Sequence, residues 1–428
     1  MSINLFDYQK EAIDHFKEKP LNLSDTGTGK SFMALGAFIA SDCTRLLIIC
    51  LAPKVIDFAD DAKEMGLQVT PLNKGTAKNR KLLEEADMVS ISFESSWRLT
   101  ELLKWVDKET FIIIDESHKV GVSTSKVTKF AMKLSNRAKH TYLCTATPVS
   151  NGKLENWYPQ LKMANVFKGT KKEFEELFVI KQMRQMGSAR FMQITGYQNE
   201  HILQGMVNSS SVNFKRDKPY LPEDYFYTTK KPAMYNRLKK ERMYKMDDGS
   251  VAKLDTASKL FNELRRVSHG VMTGISKVVS KEPFERLETI LEAHNNERVV
   301  IFYNYQSECD QLEKTIKKLK RPVGFYNGKR KELKPFKGNE NGVILCQYFS
   351  ASTGINDLVI SNVMVFFSMP LSSTNYTQAK GRTDRHGQNK TPLYYHITPN
   401  TPIEKRITDT VLAGHDFTDE MIKESIDN

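Results

Sequence analysis

Residues 21–40 read LNLSDTGTGKSFMALGAFIA, and this stretch decides the fold. A short β-rich run leads into the segment Ser24-Asp25-Thr26-Gly27-Thr28-Gly29-Lys30-Ser31 and then into a helical pattern. Glycines at 27 and 29 allow backbone N–H groups to surround phosphate oxygens, and a helix that begins at Lys30 points its positive end toward the same anion. The strict pattern has glycine at position 24, where this chain has serine. The alternative to a nucleotide site is a glycine-rich turn that precedes a helix by chance.

A second apolar run, at residues 111–115, ends in Asp115 and Glu116. A buried strand of a parallel sheet delivers its last residues to the carboxyl edge, where α/β proteins bind their ligands. Next to a triphosphate, Asp115 would hold Mg²⁺ and Glu116 would orient or deprotonate the attacking water. Adjacent acids at the end of a strand also occur by chance. The pair indicates a nucleotide site because the glycine-rich turn precedes it on a separate strand.

Short β-rich runs alternate with helical patterns in both halves of the chain. The predicted strands are residues 21–24, 46–51, 87–92, 111–115 and 141–145, followed by 298–303, 322–325, 342–346, 362–367 and 392–397. Such alternation indicates parallel sheets with helices on both faces. The predicted fold class is therefore α/β.

The central part of the chain breaks this rhythm. Its helical patterns are residues 154–164, 171–179, 232–244 and 251–267. A polar, Met-rich stretch separates the second pattern from the third. We predict a first lobe over residues 1–165, a helical insertion or protrusion over 166–228, and a second lobe over 229–428 that begins with a helical segment.

The charge balance favours a polyanionic partner. The chain has 428 residues, with 63 Lys and Arg against 51 Asp and Glu, and a formal net charge of +12. A basic housekeeping enzyme would show the same surplus, because net charge describes a field and not a fold. The five cysteines include no CxxC pair, which excludes a recognisable zinc knuckle. No apolar run approaches the roughly 18 residues that span a bilayer. We expect a cytoplasmic protein without membrane contact.

Four motifs stand in the order found in superfamily 2 helicases. They are DTGTGKS at residues 25–31, DESH at 115–118, TATP at 145–148 and QAKGRTDR at 378–385. In detail the chain resembles the Swi/Snf-type DNA translocase branch. Three further segments carry this resemblance: LFDYQ at 5–9, similar to the YQ element, GRTDRHGQ at 381–388, similar to DRxHRxGQ, and TPIEKRI at 401–407, similar to TIEEKI. The resemblance covers nearly the whole chain and implies two tandem RecA-like lobes.

The resemblance also implies an ATP site to which both lobes contribute. Gln9 would recognise the adenine edge, and Ser31 and Asp115 would be the ligands of Mg²⁺. The residues expected to hold the triphosphate are Asp25, Thr26, Gly27, Thr28, Gly29, Lys30 and Ser31, with Gly354 from the second lobe. Thr145 and Thr147 would couple the state of the nucleotide to contact with nucleic acid.

Two arginines would complete the catalytic set of Lys30, Asp115 and Glu116. The resemblance implies that Arg382 and Arg385 are arginine fingers from the second lobe. Their spacing places both on one face if residues 374–385 are helical. An inserted guanidinium neutralises charge in the transition state of phosphoryl transfer. The alternative interpretation of the two arginines is a solvated basic helix end.

Nucleic acid would cross both lobes opposite the nucleotide. The candidate contacts are Lys54, Ser92, Phe93, Ser350, Ser352 and Thr353. Small hydroxyls and backbone N–H groups suit phosphate contacts that do not depend on base sequence. Residues 311–340 hold ten Lys or Arg against three acids, which fits a phosphate track and a solvated face equally well.

Residues 181–191 mix cations with apolar side chains. Lys181, Arg184 and Arg190 alternate with Met183, Met186 and Phe191. A stacking or strand-separating element needs this chemistry. The alternative is a helix whose Met and Phe side chains belong to the core.

Three departures separate the chain from chromatin remodellers. Ala351-Ser352 replaces the family's Gly-Gly before Thr353-Gly354-Ile355-Asn356, and the third motif reads TATP instead of TGTP. The large insertions of remodellers and their histone-reading modules are also missing from this sequence. The compact form resembles helicases of phage replication modules, and a phage-encoded protein would work in the host cytoplasm.

The predicted function is that of an ATP-dependent DNA helicase or translocase in replication, recombination or repair. Its partners would be single-stranded, duplex or forked DNA and proteins of replication or recombination. One alternative is a duplex translocase or branch-migration motor that does not simply unwind. Another is a non-catalytic nucleic-acid-binding or loading factor with a vestigial ATP site. A P-loop kinase or small-molecule ATPase would leave residues 378–385 unexplained.

Overall fold

Two compact units make up the chain, Met1–Asp217 and Lys218–Asn428. The computed structural model describes residues 5–149, 152–186, 189–215, 221–348, 357–385 and 387–427. Each unit contains a largely parallel sheet flanked by helices, which confirms the predicted α/β class. The predicted three-part division, with boundaries after residues 165 and 228, stays a prediction.

The first unit alternates strands and helices along most of its length. Its strands are β1 (Leu21–Asn22), β2 (Arg45–Cys50), β3 (Thr70–Leu72), β4 (Met88–Ser92), β5 (Thr110–Asp115), β6 (His140–Cys144), β7 (Val179–Met186), β8 (Ala189–Tyr197) and β9 (Ser211–Val212). Its helices are α1 (Asp7–Asp14), α2 (Lys30–Ile39), α3 (Lys54–Glu64), α4 (Thr76–Glu85), α5 (Phe93–Ser96), α6 (Leu102–Trp105), α7 (Lys126–Ser135), α8 (Trp157–Met163), α9 (Lys171–Phe178) and α10 (Glu200–Ser209). Short 3₁₀ helices occupy Ser117–Val120 and Leu154–Asn156.

A parallel sheet forms the centre of the first unit. Within the described residues its strand order is β3-β4-β2-β5-β6-β1-β9. Every residue of β5 is buried, as expected for a near-continuous apolar strand covered on both faces. Cys144 of β6 is paired with Asn22 of β1 and with Asp115 of β5, so these three strands end side by side. The glycine-rich turn, the acids and the TATP segment therefore follow the same sheet edge.

The second unit repeats this alternation. Its strands are β10 (Glu223–Thr229), β11 (Met243–Lys245), β12 (Val251–Lys253), β13 (Val299–Tyr303), β14 (Val323–Tyr326), β15 (Lys331–Glu332), β16 (Val343–Gln347), β17 (Val363–Phe366) and β18 (Leu393–Pro399). Its helices are α11 (Ala233–Glu241), α12 (Ala257–Ser268), α13 (Glu282–Ala293), α14 (Gln306–Lys318), α15 (Lys334–Lys337), α16 (Ser373–Thr383), α17 (Pro402–Leu412) and α18 (Asp419–Asp427), with a 3₁₀ helix at Asp357–Ile360.

The sheet of the second unit has the order β10-β18-β17-β13-β16-β14-β15 within the described residues. Its neighbouring strands are parallel except for β14 and β15. Strands β13 and β17 are buried at every position. The predicted strands of both halves are present, with ends that shift by one to two residues.

Two regions predicted as helical contain strands. Strands β7 and β8 form an antiparallel pair, and Met183 and Phe191 are 63% and 46% exposed, so the interpretation of residues 181–191 as a helix core is wrong. Residues 251–253 form β12, and the helix begins only at Ala257. Thr256 sets that start because its side chain accepts a hydrogen bond from the backbone N–H of Lys259. Strands β3, β9, β10, β11 and β15 were not predicted, and the first two residues of β11 lie within the predicted helical pattern of residues 232–244.

Candidate functional site

The turn after β1 is built around two glycines in the left-handed region. The φ angle is +80° at Gly27 and +78° at Gly29. A Cβ atom at Gly29 would lie 2.4 Å from Nε2 of Gln9, so the position needs glycine for its space as well as its φ. Helix α2 begins at Lys30, directly after the turn. The first N–H groups of a helix have no partner within it, so turn and helix together have the shape of an anion cradle.

The ammonium group of Lys30 lies inside this turn. Its Nζ donates hydrogen bonds to the backbone carbonyls of Ser24 and Asp25, each at 2.8 Å. Burial lowers the pKa of Lys30, while the negative charges of Glu116 and Asp115 oppose that shift. The lysine and both acids are therefore close enough to influence one another, as a site for a triphosphate and its metal ion requires.

Ser24, the departure from the strict glycine pattern, ties the turn to the end of the first unit. Its side chain is buried, and its Oγ accepts a hydrogen bond from the backbone N–H of Phe214 at 3.1 Å. The backbone N–H of Asp25 donates to the carbonyl of Phe214 at 3.1 Å. The ring of Phe214 packs against Tyr8, with centroids 5.4 Å apart. Sequence analysis missed Phe214, since no local pattern connects it with residues almost 200 positions earlier.

Gln9 braces the turn from helix α1. Its Nε2 donates to the carbonyl of Thr28 at 3.0 Å, and its Oε1 accepts from the backbone N–H of Phe6 at 3.0 Å. The hydroxyl of Tyr8 donates to the same Thr28 carbonyl at 3.0 Å. These bonds fix the shape of the loop. The recognition of adenine by Gln9 stays a prediction.

Asp115 ends β5 and Glu116 follows it, but the pKa values of the two carboxyl groups are shifted in opposite directions. Burial, together with the charge of Glu116, raises the pKa of Asp115 above its usual range. Burial also acts to raise the pKa of Glu116, but the hydrogen bond and charge of His118 and the charge of Lys30 outweigh it and lower that pKa. Glu116 has a φ angle of +53°, which is uncommon for a residue other than glycine. Strained backbone of this kind often marks functional sites.

A hydrogen-bond chain links Glu116 to the TATP segment. Oγ1 of Thr145 lies 3.4 Å from Oε2 of Glu116 and 3.1 Å from Nδ1 of His118. The same ring nitrogen lies 3.3 Å from Oε2 of Glu116. The backbone N–H of Thr147 donates to Oγ1 of Thr145 at 3.1 Å. The acid expected to activate water and the segment expected to sense the nucleotide are thus in direct contact.

A buried glutamine of α8 joins the same two segments. Gln160 accepts a hydrogen bond from the hydroxyl of Ser117 at 2.8 Å. Its Nε2 donates to the carbonyl of Pro148 at 2.8 Å and to that of Asn156 at 3.2 Å. Gln160 therefore holds the turn after β5 against the loop after β6. The only feature of the sequence that indicates a role for Gln160 is its position as a polar residue within the apolar pattern of α8.

Helix α3 brings further charges to this edge of the sheet. The positive charge of Lys54, its first residue, acts to lower the pKa of both Asp115 and Glu116, so Lys54 lies near the acids. Burial raises the pKa of Asp61 to about 6, against the opposing effects of Lys54 and of a hydrogen bond from Ser31. The expected metal ligand Ser31 therefore has a carboxylate neighbour that sequence analysis missed. Contact of Lys54 with nucleic acid stays a prediction.

The other candidates for nucleic-acid contact in the first unit have structural roles. Ser92 caps helix α5, since its Oγ accepts from the backbone N–H of Ser95 at 3.2 Å. Phe93 is 3% exposed and its ring belongs to the hydrophobic core. Contact of Ser92 and Phe93 with nucleic acid stays a prediction. Ser350, Ser352, Thr353 and Gly354 lie outside the described residues.

Arg382 and Arg385 do not share a helix face. Helix α16 carries Arg382 in its last turn and ends at Thr383. Asp384 has a φ angle of −92° and a ψ angle of 76°, so Arg385 lies beyond the helix and the i, i+3 argument fails. The role of both residues as arginine fingers stays a prediction.

Gln388 anchors the loop that follows the two arginines. Its Nε2 lies 3.1 Å, 2.9 Å and 3.2 Å from the carbonyl oxygens of Val359, Ser361 and Thr383. Its Oε1 accepts a hydrogen bond from the backbone N–H of Lys390 at 3.0 Å. The glutamine of the GRTDRHGQ stretch thus has a structural role that the sequence pattern alone does not assign.

Glu404, from the TPIEKRI segment, belongs to a buried ion pair. Its Oε1 accepts from Nε of Arg265 at 2.8 Å, and its Oε2 lies 3.3 Å from Nε2 of His269. Nη2 of Arg265 also donates to the carbonyl of Met369 at 2.6 Å. Burial acts to raise the pKa of Glu404, but Arg265 and His269 outweigh it and lower the pKa to about 2. This acid holds α12 and α17 together.

Several basic side chains of residues 311–340 have partners within the second unit. Arg321 is 4% exposed and donates to the backbone carbonyls of Leu291 at 2.8 Å and Asn341 at 2.9 Å. The ion pairs of this segment include Lys317–Glu313, Lys318–Glu288, Arg330–Glu332 and Lys337–Asp357. Acids therefore compensate part of its charge, which weakens the interpretation as a phosphate track.

The described residues of the first unit fit a nucleoside triphosphate with Mg²⁺. The positive φ angles of Gly27 and Gly29 shape the loop, and Lys30 supplies a half-buried cation whose Nζ donates to the carbonyls of Ser24 and Asp25. The hydroxyl of Ser31 and the carboxylate of Asp115 are oxygen ligands of the kind that Mg²⁺ prefers. The turn that carries Lys30 follows β1 and Asp115 ends β5, and both strands end beside Cys144 of β6, so these groups lie at one edge of the sheet.

Comparison with protein families agrees with this chemistry. A family model described as "SNF2-related domain" matches residues 56–269, and one described as "Helicase conserved C-terminal domain" matches residues 282–387. The first match spans half of the chain. The chain belongs to the SNF2-related family. It is an ATP hydrolase core of superfamily 2, as its motifs predict.

A solved structure also aligns with nearly the whole chain, at low structural similarity. The "Sulfolobus solfataricus SWI2/SNF2 ATPase core in complex with dsDNA" aligns with 99% of this chain and 93% of its own, with a TM-score of 0.46 and 18% identity. A search of curated proteins gives no match. Within the part of the chain that the structure describes, no helix is long and apolar enough to cross a membrane.

Proposed function

We propose that the protein couples ATP hydrolysis to movement along DNA. The observation that carries this proposal is the hydrogen-bond chain from Glu116 through His118 and Thr145 to Thr147. A hydrolase alone needs an acid that orients water. A motor also needs a path by which the state of the nucleotide reaches the segments that bind the track, and we propose that this path begins with these contacts.

The residues of the first unit have separable roles in this proposal. The glycine turn and Lys30 bind the triphosphate, and Ser31 and Asp115 hold Mg²⁺, which when bound neutralises phosphate charge. Glu116, with its lowered pKa, is ionised and orients the attacking water. His118 and Thr145 position the Glu116 carboxylate. Arg382 and Arg385 supply positive charge to the transition state.

Two features favour DNA as the track: the positive net charge of the chain and the resemblance of its motifs to those of DNA translocases. The formal net charge of +12 favours a polyanion. The segments LFDYQ, GRTDRHGQ and TPIEKRI resemble those of DNA translocases in particular. We place the activity in replication, recombination or repair, and the compact, phage-like form favours the first of these. Proteins of these processes would be its partners.

A triplex-displacement assay tests movement along duplex DNA. A motor that tracks along the duplex removes a short third strand in an ATP-dependent manner, and a fork with a labelled strand reports unwinding in parallel. Displacement of the third strand without unwinding would favour the duplex translocase or branch-migration motor over the helicase. If neither strand is displaced while ATP is hydrolysed, the proposal of movement is wrong. RNA forks in the same assay report the preference for DNA.

A further inference from the structure

The β7–β8 hairpin is a two-stranded ribbon whose outer part is exposed on both faces. Its pairs are Gln182–Gln193, Met183–Met192, Arg184–Phe191 and Gln185–Arg190, and all eight residues are exposed. No other strand of the described residues pairs with it. At about 3.3 Å per residue, these four pairs extend roughly 13 Å.

Apolar side chains on such a ribbon are costly unless they have a partner. Met183, Met192 and Phe191 are 63%, 53% and 46% exposed. A lone hairpin is at best marginally stable in water, and clustered exposed apolar side chains mark interaction surfaces. The exposed apolar side chains therefore indicate a surface that binds a ligand, because they do not stabilise the fold of this segment.

The base of the hairpin is fixed to the first unit. Val179 is buried in the core. The hydroxyl of Tyr197 donates to Glu155 at 2.5 Å, and the backbone N–H of Gln198 donates to the carbonyl of Phe178 at 3.1 Å. Lys181 forms an ion pair with Glu175 at 2.6 Å. A rigid base presents the outer part of the ribbon in a defined direction.

Charge identifies the class of ligand. Residues 179–197 contain no Asp or Glu, and two of their three cations, Arg184 and Arg190, lie in the exposed part. Because side chains alternate between faces, Arg184 and Phe191 lie side by side on one face, while Met183, Met192 and Arg190 share the other. Cations without acids favour a polyanion over a protein surface.

We propose that this hairpin binds unpaired DNA bases next to a duplex end. The ring of Phe191 and the thioether side chains stack on base faces, and the two arginines contact the neighbouring phosphates. Intact duplex hides its base faces within the stack, so the preferred ligand is a fork or a single strand. The proposal rests on the proposed function as a DNA motor and adds a contact for the junction itself.

Fluorescence anisotropy with the full chain tests this contact. The probes are a fluorescein-labelled fork and a blunt duplex of the same length, both without nucleotide. Phe191→Ala should weaken binding of the fork about tenfold, since one base stack is lost, and leave duplex binding within about twofold. Arg184→Ala should act in the same direction. Gln193→Ala, on the same ribbon and equally exposed, is the matched control and should bind both probes like the wild type.

Two results would overturn the hairpin contact. One is fork affinity unchanged in Phe191→Ala, which would leave the apolar surface to a protein partner. The other is an equal loss on fork and duplex, which would mean phosphate contact without stacking. Stimulation of ATP hydrolysis by the duplex separates the two proposals. If the duplex stimulates ATP hydrolysis equally in the wild type and in Phe191→Ala, an unchanged fork affinity in Phe191→Ala rejects only the hairpin contact. If the wild type neither binds DNA nor is stimulated by it, the proposed motor function is rejected as well.

Discussion

Single residues of the site obtain their geometry from distant parts of the chain. Ser24 lies in the glycine-rich turn, yet its hydroxyl accepts a hydrogen bond from the backbone N–H of Phe214. Glu404 lies in a family motif, yet its carboxylate is bound by Arg265 and His269 in the core. A motif therefore mixes residues that touch a ligand with residues that only hold the fold.

Replacing Ser24 by glycine separates these two kinds of role. The variant restores the strict turn pattern but leaves the backbone N–H of Phe214 without this acceptor. We expect ATP hydrolysis within about twofold of wild type and a loss of about 1 kcal/mol in the free energy of unfolding. Steady-state hydrolysis and chemical denaturation measure both quantities. Loss of hydrolysis with unchanged stability would assign Ser24 to the ligand instead.

Replacing Glu404 by glutamine tests the buried ion pair. The pKa of Glu404 is lowered to about 2, below its ordinary value of about 4.3. Its contribution is therefore complete above about pH 5 and is lost as the pH falls toward 2. Glu404→Gln should lower the free energy of unfolding by about 3 kcal/mol at pH 7, because Arg265 stays buried without its partner.

The pH dependence of the loss of unfolding free energy in Glu404→Gln distinguishes an effect of the ion pair from an effect of packing. The stability difference between wild type and Glu404→Gln should shrink as the pH falls from 5 toward 3. Glu420→Gln, at an exposed position of α18, is the control and should show no such difference. A difference that is constant with pH would mean that packing, not charge, gives Glu404 its role.

At the scale of elements, the carboxyl edge of the first sheet organises the chemistry. Strands β1, β5 and β6 end together, so three motifs far apart in sequence meet. The sequence was sufficient to predict these strands, because apolar runs of four to six residues are bounded by polar turns. It was also sufficient to predict which motifs share the edge, since parallel strands present their ends together.

Other elements could not be predicted from local patterns. Gln388 donates to the carbonyl of Thr383, the last residue of α16, and to carbonyls of residues 359 and 361, which no local pattern indicates. The β7–β8 hairpin has a Met, Phe and Arg pattern that also fits a helix, and only cross-strand pairing distinguishes the two. Gln160 and Phe214 act through contacts of long sequence separation, for which a single sequence carries no signal.

Thr145→Val tests the contact between the acid and the TATP segment. Valine keeps the shape of threonine but cannot bond to Glu116 or His118. We expect basal ATP hydrolysis within a few-fold of wild type, because His118 still contacts Glu116. We expect loss of most of the stimulation by DNA, because the proposed path through Thr145 is broken. Hydrolysis rates with and without duplex DNA give the ratio. A stimulation ratio equal to that of the wild type would show that the coupling runs elsewhere.

At the scale of the whole molecule, the chain is a superfamily 2 ATPase core with two α/β units. The first unit holds the glycine-rich turn, Lys30, the two acids and the hydrogen-bond chain from Glu116 to Thr147. The second unit carries Arg382, Arg385 and the loop held by Gln388.

The most direct test of this account is the rate of phosphate release with and without DNA, in the wild type and in Lys30→Ala. We expect DNA to stimulate hydrolysis by the wild type, and Lys30→Ala to lower the rate by more than about 100-fold while the protein stays folded. Sustained hydrolysis by Lys30→Ala, or a wild-type rate that no nucleic acid alters, would contradict it.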